Sequence, residues 1–213
     1  MEKNIFSKVF LWMFIGLILT FGVGIYVSNN PTMLENLFVG SRWIILAIIQ
    51  IVVVMFLSFR INKLSPMSAK ILFLVYSLIT GLTFSTIFVV YQVQSIIYVF
   101  LLSAIIFLIF GLIGYFTRVD LTKLGTILMM MLIGVLLSII INLFFNNQTF
   151  DLVTNIICLI VFFGYTAYDI QKIKNSYYIV NKDNASIFGA LQLYIDFINI
   201  FLRLLRLFGK TND

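Results

Sequence analysis

Apolar residues run through this chain in long unbroken blocks, and polar residues collect in the short gaps between them. Seven blocks stand out, near residues 7–28, 42–60, 69–91, 94–115, 123–145, 152–173 and 187–207. Each approaches the roughly 20 residues that a helix needs to cross a hydrocarbon core. Closed membrane barrels are built from short segments of alternating polarity, and these blocks are long and continuous. In lipid a single segment can satisfy its own backbone only as a helix. The pattern predicts an all-α membrane protein, one integral membrane domain over 1–213, arranged as a bundle of seven transmembrane helices. The first block is too long for the apolar core of a secretory signal and has no small-residue cleavage site, so it reads as the first span.

The last block is not uniformly apolar. Gln192, Asp196, Asn199, Arg203, Arg206 and Lys210 follow one another at intervals of 4, 3, 4, 3 and 4 residues, which puts them on one face of a helix. A charge at the bilayer centre costs on the order of 3 kcal/mol on insertion scales. Such a stripe has to face protein or water, so the last helix is expected to be central, with the others around it. Two uses fit the stripe: a hydrogen-bonded seam that holds helices together, or a lining for ions, with Gln192, Asn199 and Arg203 as its pore or seam residues.

Composition narrows the chemistry. The chain is 62% hydrophobic and 10% charged, against about 45–50% and about 25% in soluble domains, which leaves no room for a soluble domain. Its single cysteine, Cys158, excludes a disulfide framework and reads as a small buried hydrophobe. With no histidine, the ordinary pH switch is missing, and any proton sensing falls to carboxylates.

Asp169, near the end of the sixth span, is the second acid in an apolar setting. With boundaries near Asn175 and Ser186, Asp169 lies about 9 Å deep and Asp196 about 15 Å at the helical rise. Two carboxylates sharing a low-dielectric site do not both ionise cheaply, so one proton is held between them. Oxygen ligands of this kind also suit Ca²⁺, as a weak and transient site more than a storage site. Arg60, at the end of the second span, is either an ordinary membrane anchor or a latch that pairs with the ionised aspartates. No EF-hand pattern occurs, and no cofactor is expected.

The loops carry the orientation, because lysine and arginine accumulate on the cytoplasmic side. With the N-terminus inside, that side receives Lys3, Lys8, Arg60, Lys63, Lys70, Arg118, Lys123, Lys172, Lys174 and Lys182, leaving Arg42, Arg203, Arg206 and Lys210 outside. The rival arrangement makes the last segment re-entrant, with six crossings and a cytoplasmic tail. The net charge of +6 then points to anionic lipid as partner and not to nucleic acid. In the third span Ser77, Gly81 and Ser85, near Tyr76, Thr80 and Thr83, read as close helix packing, with pore lining by the threonines as the lesser alternative, and Gly134 and Ser138 in the fifth read as packing too.

Four stretches, "GLTFSTIF" at 81–88, "GYFTRVDLTKLG" at 114–125, "GYTAYDIQKI" at 164–173 and "GALQLYIDFINIFLRLLRLFG" at 189–209, resemble the transmembrane Bax inhibitor motif family, in particular its short bacterial members. The resemblance implies a seven-helix bundle with the last helix central, acting as a pH-sensitive calcium leak. The family's paired aspartates match Asp169 and Asp196, and its latching arginine matches Arg60. In eukaryotic members the activity is linked to protection from cell death. Without the long proline-rich N-terminal extension of some of those members, the chain reads as a bacterial plasma-membrane form with a cytoplasmic N-terminus.

The expected function is a pH-sensitive Ca²⁺ leak channel with H⁺ as its signal. The alternatives are a proton-coupled Ca²⁺ exchanger and a non-conducting membrane regulator that binds a partner protein. An intramembrane aspartyl protease also pairs two carboxyls. It would want a Gly-x-Gly-Asp turn and a later Pro-Ala-Leu motif, and no proline follows Pro66 here, so no enzyme is expected.

Overall fold

The computed structural model describes residues 2–176 and 182–212, so the turn between the sixth and seventh spans lies outside the described residues. The side chains of Lys3 and Lys182, which entered the charge count above, also lie outside them. Eight helices form in the described chain: α1 (Glu2–Ser28), α2 (Pro31–Phe38), α3 (Arg42–Arg60), α4 (Pro66–Val90), α5 (Val93–Phe116), α6 (Thr122–Phe145), α7 (Gln148–Ser176) and α8 (Lys182–Phe208). A 3-10 turn, Ile61–Lys63, follows α3, and among the described residues no strand occurs. Every helix except α2 is long and apolar enough to cross a membrane. The chain is an all-α, multi-pass membrane protein.

The two prolines explain two helix starts. Pro31 and Pro66 both stand at the first helical position, where the missing N–H would have no partner in any case. The residue before each caps the helix: Asn30 accepts from the Met33 amide and Ser65 from the Ser68 amide. At the other end of α6, Asn146 takes a left-handed conformation (φ 49°) and donates its N–H to the Asn142 carbonyl at 2.8 Å, closing the helix before α7 begins.

The chain divides into two compact units. The first holds residues up to Ile96, Ser176–Tyr194 and the tail from Lys210; the second holds Ile97–Asn175 and Ile195–Gly209. In the first unit α1 packs along α4, and α3 also packs on α4. Gly81 permits the approach of α1, since a Cβ there would stand 2.8 Å from the Thr20 carbonyl oxygen. Tyr194 of α8 lies fully buried here, edge-on to Phe73 and Tyr76. The tail pairs beside the α4–α5 turn: Gln92 donates to the Lys210 carbonyl and Asn212 to the Val90 carbonyl. The last segment, α8, is a continuous helix of 27 residues.

In the second unit α5 and α7 meet at Gly114, where a Cβ would fall 2.1 Å from the Ala167 oxygen. Phe197 of α8 lies edge-on to Phe100 and Phe107 of α5. Gln171 fastens the end of α7 to the α5–α6 loop, accepting from the Leu121 amide and donating to the Val119 carbonyl, both at 2.8 Å. Gly134 corrects the sequence reading. It faces open space, with no heavy atom within 4 Å of a Cβ built there, and Ser138 bonds back to the Gly134 carbonyl. The α6 face that carries them is not covered by the chain, because only 11% of the α6 window is buried. By contrast 67% of the α8 window is buried, the largest share of the seven.

Candidate functional site

The site belongs to the second unit, where α7 runs beside the later half of α8. Asp169 and Asp196 are 4% and 3% exposed, which takes both carboxylates out of solvent. Asp196 lies within the field of Asp169, and the Lys172 ammonium acts on both. Tyr165 lies within the field of the same two acids. Among the described residues Asp196 Oδ2 has no hydrogen-bond partner. A buried carboxylate oxygen in that condition is costly until a proton, a water or a cation occupies it. The arrangement can therefore exchange a proton, or hold a hard cation for a short time.

Along the same two helices, away from the aspartates, lies a second run of polar contacts. The Asn155 amide donates to the Arg203 carbonyl at 3.1 Å, and Arg203 Nη1 returns a long bond of 3.5 Å to Asn155 Oδ1. The Cys158 thiol faces the same guanidinium. One turn farther on, Arg206 pairs with Asp151. That pair lines an open cavity of about 440 Å³ at the α6–α7 turn, together with Asn142, Asn146, Asn147 and Gln148. Among the described residues no group of three or more acidic, cysteine or histidine side chains is arranged to hold a resident metal.

The structure places Asp196 within the electrostatic reach of Asp169. The remaining stripe residues go elsewhere. Gln192 is half-buried in the first unit, and Asn199 donates back to the Ile195 carbonyl of its own helix at 2.9 Å. Arg203 turns to Asn155. Arg60 is exposed at the end of α3, in the first unit. The turn that follows it is fastened to the start of α8, because Asn184 Nδ2 donates to the carbonyls of Ile61 and Leu64 at 3.0 and 2.9 Å. Sequence reasoning missed Asp151 and Asn155, and took Cys158 for packing alone. Asp151, Asn155 and Cys158 follow at intervals of 4 and 3 residues, which sets them on one face of α7, and that spacing was the available signal.

A family model described as "Inhibitor of apoptosis-promoting Bax1" matches residues 2–213. The chain is 42% identical over 211 residues to the inner membrane protein YbhL of Escherichia coli K12, covering 96% of this chain and 90% of that one. It is 37% identical over 218 residues to an uncharacterized protein of Borreliella burgdorferi, covering 99% and 94%. An uncharacterized membrane protein of Streptococcus pyogenes serotype M1 is 37% identical over 169 residues, covering 78% and 73%.

Proposed function

Because the chain belongs to the Inhibitor of apoptosis-promoting Bax1 family and buries two aspartates, one in the field of the other, we propose that it is a proton-gated Ca²⁺ leak of the bacterial plasma membrane, with its N-terminus in the cytoplasm. The relative named as an inner membrane protein supports the location. The observation that carries the reading is the open Oδ2 of buried Asp196 beside a second carboxylate. One proton shared by the pair lowers its charge, and loss of that proton restores an anionic site that draws a cation.

In this reading Arg60 is the latch. The pair, when ionised, attracts the guanidinium and holds the path shut; protonation removes the attraction and releases it. The response is a shift between closed and open populations, limited by the difference in pairing energy between them. Within the first unit the turn that follows Arg60 is fastened to the start of α8 through Asn184.

The test is Ca²⁺ influx into liposomes at clamped potential, followed across about pH 6 to 8, the interval a physiological proton switch has to cover. Flux that varies with pH without a proton gradient, and loses its pH dependence in Asp169→Asn and Asp196→Asn, is the expected result. Arg60→Ala should raise the leak where the aspartates are ionised. Flux that requires a proton gradient would make the protein an exchanger. No flux at any pH would turn the reading to a partner-binding regulator.

A further inference from the structure

We propose that Arg203 is the charge barrier of the conduction path, a fixed cation between the cavity at the α6–α7 turn and the aspartate pair; the inference rests on the leak reading above. Its position follows from the helix. Arg206, one turn away, lines the cavity, and Asp196 lies seven residues in the other direction, about 10 Å of helix. An ion that moves along the α7–α8 seam from the cavity to the carboxylates meets this guanidinium on the way.

The charge is held in place and is not neutralised. Asp151, the acid at this end of α7, is paired with Arg206. The partners of Arg203 among the described residues are neutral, the Asn155 amide, itself 1% exposed, and the Cys158 thiol. Its Nε is buried with no partner among the described residues. A seam that only joined two helices would gain from a carboxylate at Asn155, since a half-buried guanidinium with a buried, unpartnered Nε is costly. A guanidinium stays charged at any physiological pH, so this barrier does not follow the proton. The aspartates set when the path opens, and Arg203 sets how fast ions of each valence pass.

Valence gives the test. The work of passing a fixed charge is proportional to the charge of the ion, so the factor by which Arg203 slows a divalent ion is the square of the factor for a monovalent ion. The full-length protein in liposomes, at clamped potential and one pH, is assayed separately for Ca²⁺ and Na⁺. Arg203→Gln should speed Ca²⁺ about tenfold and Na⁺ about threefold, whereas Arg203→Lys, which keeps the charge, should leave the Ca²⁺ to Na⁺ ratio within about twofold of wild type. Asn155→Asp keeps the arginine and neutralises it where it stands. It should shift the ratio in the same direction as Arg203→Gln, and it serves if the glutamine variant does not fold. Wild-type flux with equal factors for the two ions, or a lysine variant that behaves like the glutamine one, overturns the barrier and leaves the leak standing. No flux from wild type overturns both.

Discussion

Tyr194 and Asp196 stand two residues apart on α8, about 200° around the helix, and their surroundings differ in kind. At Tyr194 the polar groups are closed. Its hydroxyl is 2.6 Å from Thr20 Oγ1, and Thr20 gives its own proton to the Ser77 carbonyl at 3.0 Å, so Tyr194 is the donor to Thr20. Nearby, Gln50 Nε2 donates to Thr80 Oγ1, which donates in turn to the Tyr76 carbonyl. At Asp196 one carboxylate oxygen is buried and has no hydrogen-bond partner among the described residues, and Asp169 acts on it. A completed buried network fixes one arrangement, while an incomplete one is costly to keep buried. The first region is closed by hydrogen bonds and the second is the one to which the proposed function is assigned, although both are polar groups in apolar helices.

The comparison can be broken by mutation. The largest effect is expected at Tyr194→Ala, which removes a fully buried ring and should cost about 3–5 kcal/mol in detergent unfolding. Asp196→Asn should stay within about 1 kcal/mol of wild type and flatten the pH response. A reversal of these two outcomes would invert the assignment of the regions. Gly114→Ala comes next, at about 1–3 kcal/mol from forcing α5 off the Ala167 backbone. Gly134→Ala, with open space around it, should fall within about 0.5 kcal/mol. Tyr194→Phe, which deletes only the hydroxyl bond, should cost about 1 kcal/mol.

The smallest effect lies in the α5–α6 loop. The Thr122 hydroxyl and then the Thr122 amide, each donating to Asp120 Oδ1, hold the Asp120 carboxyl below the ordinary aspartate value. A carboxyl lowered by folding contributes stability above its unfolded value and loses it as pH falls through the folded one. Thr122→Val should raise the Asp120 titration midpoint, read by carbon NMR of that carboxyl, and should leave behaviour at neutral pH unchanged.

Much of this was legible in the sequence because hydropathy writes membrane spans directly: all seven expected blocks overlap a helix long and apolar enough to cross. The helices extend beyond the blocks where polar ends continue the winding, as α8 does by starting at Lys182. The eight-residue α2 escaped notice because no apolar run marks it, although Asn30 and Pro31 spell its cap. Small residues were an uneven guide. Gly81 marks a close approach and Gly134 does not, since spacing shows which side of a helix is small but not whether another helix covers it. The aspartates were visible because a buried acid has few alternatives in lipid. The partners of Arg203 were not, because Asn155 and Cys158 have ordinary structural uses and the opposing register of α7 and α8 becomes evident only on folding. Lys172 was counted as a loop charge, yet it acts on both aspartates.

Whether Asp196 senses the proton while its neighbour Tyr194 only holds the helix is decided by one paired experiment. Ca²⁺ flux is measured against pH in liposomes, without a proton gradient, for Asp196→Asn beside Tyr194→Phe. The account predicts a flat profile for Asp196→Asn and the wild-type profile for Tyr194→Phe. A pH response retained in Asp196→Asn, or lost equally in both, would contradict it.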